Sequence, residues 1–162
     1  TSKERLPRWF LPVSGELRPG GRYKLEGNAE GAIERCEPPT FLAVTWEFGG
    51  GVSWVEARLS AETERRSRLT LTHIAPLDEH WEKYGAGAGG VGWEFGLVGL
   101  AMHLAGEARL DEAAVAASPE GKDFVAKSSE AWGAAEIAGG ESAAQAKARA
   151  KATSAFYRDE AS

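Results

Sequence analysis

Four stretches of this chain alternate apolar and polar residues with a period of two, and tight turn residues separate them, so the N-terminal half is constrained to antiparallel sheet. Residues 22–26 set Tyr23 and Leu25 against charged neighbours. Residues 40–48 put Leu42, Val44, Trp46 and Phe48 on one face. In 52–59, Val55, Ala57 and Leu59 oppose Trp54, Glu56 and Arg58; in 67–74, Leu69, Leu71 and His73 oppose Arg68, Thr70 and Thr72. A weaker fifth strand, 32–37, contains Ile33. The connectors Pro19-Gly20-Gly21, Gly27-Asn28, Pro38-Pro39 and Gly49-Gly50-Gly51 are short, which predicts a meander, wet on one face and covered on the other.

The period then changes. Residues 76–90 read as a loop, and 91–105 as a helix that is apolar nearly all round. Trp93, Leu97, Leu100 and Leu104 form one stripe and Val91, Phe95, Val98 and Met102 another, the pattern of a buried helix. Gly92, Gly96 and Gly99 line a third stripe that His103 continues. Each glycine costs a helix roughly 0.5–1 kcal/mol relative to alanine, so three on one face imply close backbone approach or empty space. Beyond Gly106 the chain turns alanine-rich. Ser118-Pro119 is an N-cap and first-turn pair for a helix with Phe124, Ser128, Trp132 and Ala135 on one face, ended by Gly139-Gly140. A last helix spans about 142–157. The division expected is a sheet-plus-helix domain, 1–105, and a helical extension, 106–162, that is an appendage or a dimer element.

Composition excludes several classes. Nineteen basic against 24 acidic residues give a net charge of −5, unsuited to binding nucleic acid by phosphate neutralisation. No apolar run reaches the ~20 residues that cross a bilayer. The single cysteine, Cys36, excludes an internal disulfide and a multi-cysteine zinc site, and suits a reducing, cytoplasmic setting. Six tryptophans either fill a core or line a pocket for a flat ligand.

A set of ordered motifs carries a family resemblance: Leu6-Pro-Arg-Trp-Phe10, Gly15-Glu-Leu-Arg-Pro-Gly-Gly-Arg-Tyr23, Gly31-Ala-Ile-Glu-Arg-Cys-Glu-Pro-Pro39, Thr45-Trp-Glu-Phe-Gly49, Leu69-Thr-Leu-Thr-His73, and Gly92-Trp93 opening the long helix. Over about residues 1–105 the chain resembles the START-like (SRPBCC) superfamily, and within it stand-alone bacterial proteins similar to the activator of the heat-shock chaperone ATPase. The extension and the alanine, glycine and arginine bias resemble actinobacterial members. The resemblance implies an α+β helix-grip fold, a curved antiparallel sheet wrapped on a long buried helix with an apolar cavity between them. It also implies a first strand and helix ahead of the tryptophan motif, which are missing from a chain that begins at Thr1.

Each candidate site has a plainer reading beside it. His73 is a polar anchor or general base at the cavity mouth, or a hydrogen-bonded core histidine. His103 could join it in a two-histidine patch, but a metal needs a third ligand and none stands at a recognisable spacing. His80 sits among Asp78, Glu79 and Glu82, as a solvated residue would. Trp46 and Trp93 line a pocket or fill a core; Trp54 falls on the phase opposite Val55 and Leu59, for the outer face or for contact with the C-terminal helices. Gly85-Ala-Gly-Ala-Gly-Gly90 satisfies GxGxxG but lacks the preceding strand of a dinucleotide site, which leaves a flexible lid. Cys36 has no histidine near it in sequence. Glu94 is the odd charge on an apolar helix. Lys147, Arg149 and Lys151 read as a solvated face.

The function expected is therefore binding of a small apolar or aromatic molecule, with no cofactor, no metal and no nucleic acid. The ligand-binding residues are Tyr23, Trp46, Phe48, Val55, His73, Trp93, Leu97 and His103. Three alternatives stand beside it: a polyketide cyclase or aromatase-like enzyme in which His73 or Glu94 moves protons, sequestration of a toxic natural product, and a co-chaperone-like interaction domain. No residue set supports catalysis, so the balance leans away from an enzyme without closing the question. A homodimer through the helical extension stays open.

Overall fold

The computed structural model describes residues 2–108 and 112–158. It divides into two compact units, Thr1–Pro76 and Leu77–Ser162. Together they give the α+β composition expected: one antiparallel sheet, then helices.

After a short 3-10 turn at Leu6–Arg8, the first unit is a six-stranded meander in sequence order: β1 (Val13–Gly15), β2 (Arg22–Leu25), β3 (Glu30–Glu37), β4 (Phe41–Phe48), β5 (Gly51–Thr63) and β6 (Arg66–Ile74). All neighbours are antiparallel. Irregularities between Ile33 and Arg35 and between Ala61 and Thr63 interrupt the ladders, where an extra residue bends a strand and increases its twist. Strand β1 carries too few residues to show an alternation and was not expected.

The register sorts the side chains into two faces. Leu42 lies opposite Ala57, Val44 opposite Val55, Trp46 opposite Ser53, Val55 opposite His73, and Leu59 opposite Leu69. Glu47, Glu56, Arg58, Arg66 and Arg68 fall on the other phase. Phe41 shares that charged phase yet is buried, because the guanidinium groups of Arg35 and Arg58 lie 5.1 and 4.2 Å from its ring. Long arginine stems and a cation–π contact thus cover an aromatic that alternation alone would leave wet.

Strands β2, β3 and β4 are tied together at Thr45. The Tyr23 hydroxyl donates to the Thr45 carbonyl at 2.7 Å, and the Ala32 amide donates to Thr45 Oγ1 at 2.7 Å. Gly31 is required at this crossing, since a Cβ there would overlap the Thr45 carbonyl oxygen that Tyr23 holds.

The second unit contains α1 (Glu79–Tyr84), α2 (Gly87–Leu104), α3 (Glu112–Ala117), α4 (Pro119–Ala138) and α5 (Ala143–Tyr157). Serine caps open the last two as expected: Ser118 Oγ accepts from the Gly121 amide at 3.0 Å and Ser142 Oγ from the Gln145 amide at 3.2 Å. The loop expected over 76–90 is largely helical instead. Asp78 caps α1 by accepting from the Trp81 amide at 2.9 Å, and Gly87 to Gly90 form the first turn of α2. These glycines are not a flexible lid. Gly87 sits on Thr153 of α5, and a Cβ on Gly90 would fall inside the Trp132 indole of α4. They are small so that neighbouring helices can approach.

Three of the four α4 residues placed on one face meet α2: Phe124 packs at a tilt on Phe95 with ring centroids 4.7 Å apart, Ser128 reaches Glu94, and Trp132 lies over Gly90. Helix α5 is pinned by Thr153 Oγ1 donating to the Tyr84 carbonyl and Tyr157 Oη donating to the Ala88 carbonyl, at 2.8 and 2.6 Å. The long helix departs from the all-round burial expected. Its buried residues are Gly87, Gly90, Val91, Gly96 and Gly99, whereas Leu97, Val98 and Leu104 are exposed. The glycine face is the one that α4 and α5 can approach closely, so the large aliphatics are left off that contact. Arg149, expected on a solvated face, is also buried.

Candidate functional site

The sheet face free of charge presents a compact set of side chains at its β4–β5–β6 centre. The Gly49-Gly50 turn, with both residues at positive φ, pairs Phe48 with Gly51 and therefore Trp46 with Ser53. The next pairing across β5 sets His73 beside Val55. The result brings Trp46, Val55 and His73 together, with a residue that sequence reasoning missed. Ser53 Oγ lies 2.8 Å from His73 Nε2 and 3.2 Å from the Trp46 carbonyl oxygen. The Trp46 and His73 rings stand 6.1 Å apart, inclined at 60°. Val44 and Val55 are buried beneath, and Trp46, Ser53 and His73 are half-buried.

Burial pushes the His73 imidazole below its ordinary pKa of 6.5. The unfolded chain then takes up a proton near that ordinary value, before the folded chain does. Stability from this residue is complete above pH 6.5 and declines as the pH falls through the window beneath it. Thermal melts from about pH 7 to pH 5 should accordingly show a smaller loss of Tm for His73→Gln than for the unaltered chain. Parallel curves would mean that His73 carries no burial penalty.

The remaining expected residues are placed differently. Tyr23 is buried, and its hydroxyl is engaged by the Thr45 carbonyl, so it supports the sheet beside the cluster. Phe48, 60% exposed, stands at the end of β4. There it lines an open concavity of about 440 Å³ together with Lys24, Glu30, Glu47 and Val52. That concavity is charged: Arg22 donates to Glu47 from its two terminal guanidinium nitrogens at 2.7 and 3.1 Å and holds its carboxyl below the usual range. Trp93, Leu97 and His103 lie on α2 in the second unit; Leu97 is exposed, the other two half-buried.

Other candidates resolve into structural roles. Glu94 Oε2 accepts from Ser128 Oγ at 2.5 Å and links α2 to α4. Trp54 is exposed on the charged face, and His80 is exposed with its ring 4.9 Å from that of Tyr84. Among the described residues no three His, Cys, Asp or Glu side chains cluster to hold a metal ion, and no helix is long and apolar enough to cross a membrane.

Comparison with known proteins places this geometry in context. Residues 1–104 match the family model described as Activator of Hsp90 ATPase homolog 1-like protein. The crystal structure of CalU16 from Micromonospora echinospora is similar at 37% identity and a TM-score of 0.66, covering 82% of this chain and 73% of that one. The solution NMR structure of CalU16 gives 36% identity and a TM-score of 0.73, covering 87% of this chain and 78% of that one. No curated protein matches the chain.

Proposed function

The chain belongs to the Activator of Hsp90 ATPase homolog 1-like family, and from that premise we propose that it binds a small apolar or aromatic molecule. One observation carries the proposal: the face holding Leu42, Val44, Trp46, Val55, Ala57, Leu69, Leu71 and His73 has no charged side chain among its paired positions in β4, β5 and β6, while the opposite phase collects the arginines and glutamates. A wall of this kind gains by excluding water against a flat ligand, and one polar pair suffices to orient it. In this proposal Trp46 is the stacking surface, Val55 the floor and His73 with Ser53 the polar anchor. Trp93, Leu97 and His103, on α2, are further candidates that the family resemblance alone supplies. A reducing cytoplasm suits the free Cys36.

The test begins with native mass spectrometry and solvent extraction of the freshly purified chain, followed by titration with neutral two-ring aromatics. Trp46→Ala should weaken binding at least about tenfold, equivalent to ~1.4 kcal/mol. Trp54→Ala, on the charged face, should leave it unchanged. Equal losses in the two variants, or no binding by the unaltered chain, would defeat the proposal.

A further inference from the structure

The Ser53 hydroxyl limits what kind of molecule this face can hold. A serine hydroxyl has one hydrogen to give and two lone pairs to receive with. Two acceptors compete for that hydrogen: the Trp46 carbonyl at 3.2 Å and, when its lone pair faces the serine, His73 Nε2 at 2.8 Å. If the imidazole carries its proton on Nε2, it donates to Ser53, and Ser53 donates to Trp46. With the proton on the other ring nitrogen, Ser53 donates to either acceptor. In every arrangement the serine hydrogen is used within the site, and at least one Ser53 lone pair remains to accept.

The surroundings sharpen that preference. Val44 and Val55 are buried beside the pair, and the charged side chains of β4, β5 and β6 lie on the opposite phase. The one titratable side chain among this face's paired positions, His73, is held towards its neutral form by burial, so an ionised ligand would give up hydration for little counter-charge. A ligand offering only acceptor atoms would set them against the Ser53 lone pairs. A hydroxyl or N–H on an aromatic ring meets both conditions, with the ring on Trp46 and the hydrogen on the serine.

Resting on the reading of this face as the ligand wall, we propose that the ligand is an uncharged aromatic bearing a hydrogen-bond donor, a phenol or a comparable ring O–H or N–H, which Ser53 Oγ accepts. Ser53 is then the specificity-determining residue, and the site rejects both the capped ether and the carboxylate of the same ring system.

Three matched probes decide it: 2-naphthol, 2-methoxynaphthalene and 2-naphthoate, titrated into the full chain at pH 7 by calorimetry, with amide chemical shifts locating the contact. The expected result is naphthol binding about tenfold tighter than the methyl ether, naphthoate weaker than both, and shifts centred on residues 46, 53 and 73. In Ser53→Ala, naphthol and methoxynaphthalene should bind within about twofold of each other. Should Ser53→Ala fail to fold, the ratio in the unaltered chain still decides. Ether or naphthoate binding as tightly as naphthol overturns the donor preference while leaving apolar ligand binding intact. Failure of all three to bind, or shifts confined to other residues, overturns the ligand-wall reading and the donor preference with it.

Discussion

Replacing Arg149 with methionine should destabilise the helical unit by about 3–5 kcal/mol, the cost of stranding one partner of a buried ion pair. Arg149 and Glu136 side chains are each only 7% exposed, and they meet at 3.2 Å. The same nitrogen of Arg149 reaches Glu141 at 2.6 Å, while Nε donates to the Glu82 carbonyl at 3.2 Å. Glu136 turns its other oxygen to the Ala86 amide at 2.7 Å, at the start of α2. One guanidinium therefore joins α1, the end of α4, the turn beyond it and α5. Methionine keeps much of the stem's volume and removes every bond that the guanidinium makes, leaving the Glu136 carboxylate buried with the Ala86 amide as its remaining donor. The double variant Arg149→Met/Glu136→Gln tests the cause. Glutamine can still accept from Ala86, so the double should recover more than half of the loss. Denaturant unfolding followed by tryptophan fluorescence reads both. A single-variant loss under about 1 kcal/mol would mean that the cluster is no stronger than a surface ion pair.

Arg149 also marks where the sequence stopped being legible. Within an alanine-rich helix of weak amphipathicity, with Lys147 and Lys151 on either side, an arginine gives no local sign that it is buried. Its partners, Glu82, Glu136 and Glu141, are brought to it only by tertiary packing. The glycine run failed for the same reason. Locally it resembles a flexible loop, and only the proximity of Trp132 and Thr153 makes those glycines small-residue contacts in a helix.

The sheet was legible because its two faces differ chemically at every second residue, and a one-residue slip would exchange them all. Alternation placed Trp46, Val55 and His73 on the correct phase. It could not find Ser53, which is in phase with Val55 but follows a glycine-rich turn and lacks an apolar side chain. The signal was nonetheless present: a two-residue turn at Gly49-Gly50 fixes Phe48 opposite Gly51, hence Trp46 opposite Ser53. The second half of the cluster depended on the β5–β6 register, where the irregularity between Ala61 and Thr63 shifts the count. Phe41 was lost through a different route, since its burial comes from Arg35 and Arg58 rather than from apolar neighbours.

Gly90→Ala should destabilise the helical unit by roughly 2 kcal/mol, although alanine is worth up to about 1 kcal/mol more than glycine in a helix interior. The opposing contribution is steric. The new Cβ would lie within the Trp132 indole, and an indole has no flexible end to swing aside. Helix α4 is also packed closely on α5, where a Cβ added to Gly133 would stand 3.0 Å from the Ala150 Cβ. Trp132 Nε1 is buried and has no hydrogen-bond partner among the described residues, so truncating this side chain removes bulk and strands no polar group there. That makes a clean double-mutant cycle with Trp132→Leu. In the leucine background Gly90→Ala should become neutral or stabilising, approaching the helix-propensity gain, because the space the indole filled is open to a methyl group. If Gly90→Ala instead costs the same in both backgrounds, the glycine serves the backbone path into α2 and not the approach of α4. Denaturant midpoints for the four proteins separate the two cases.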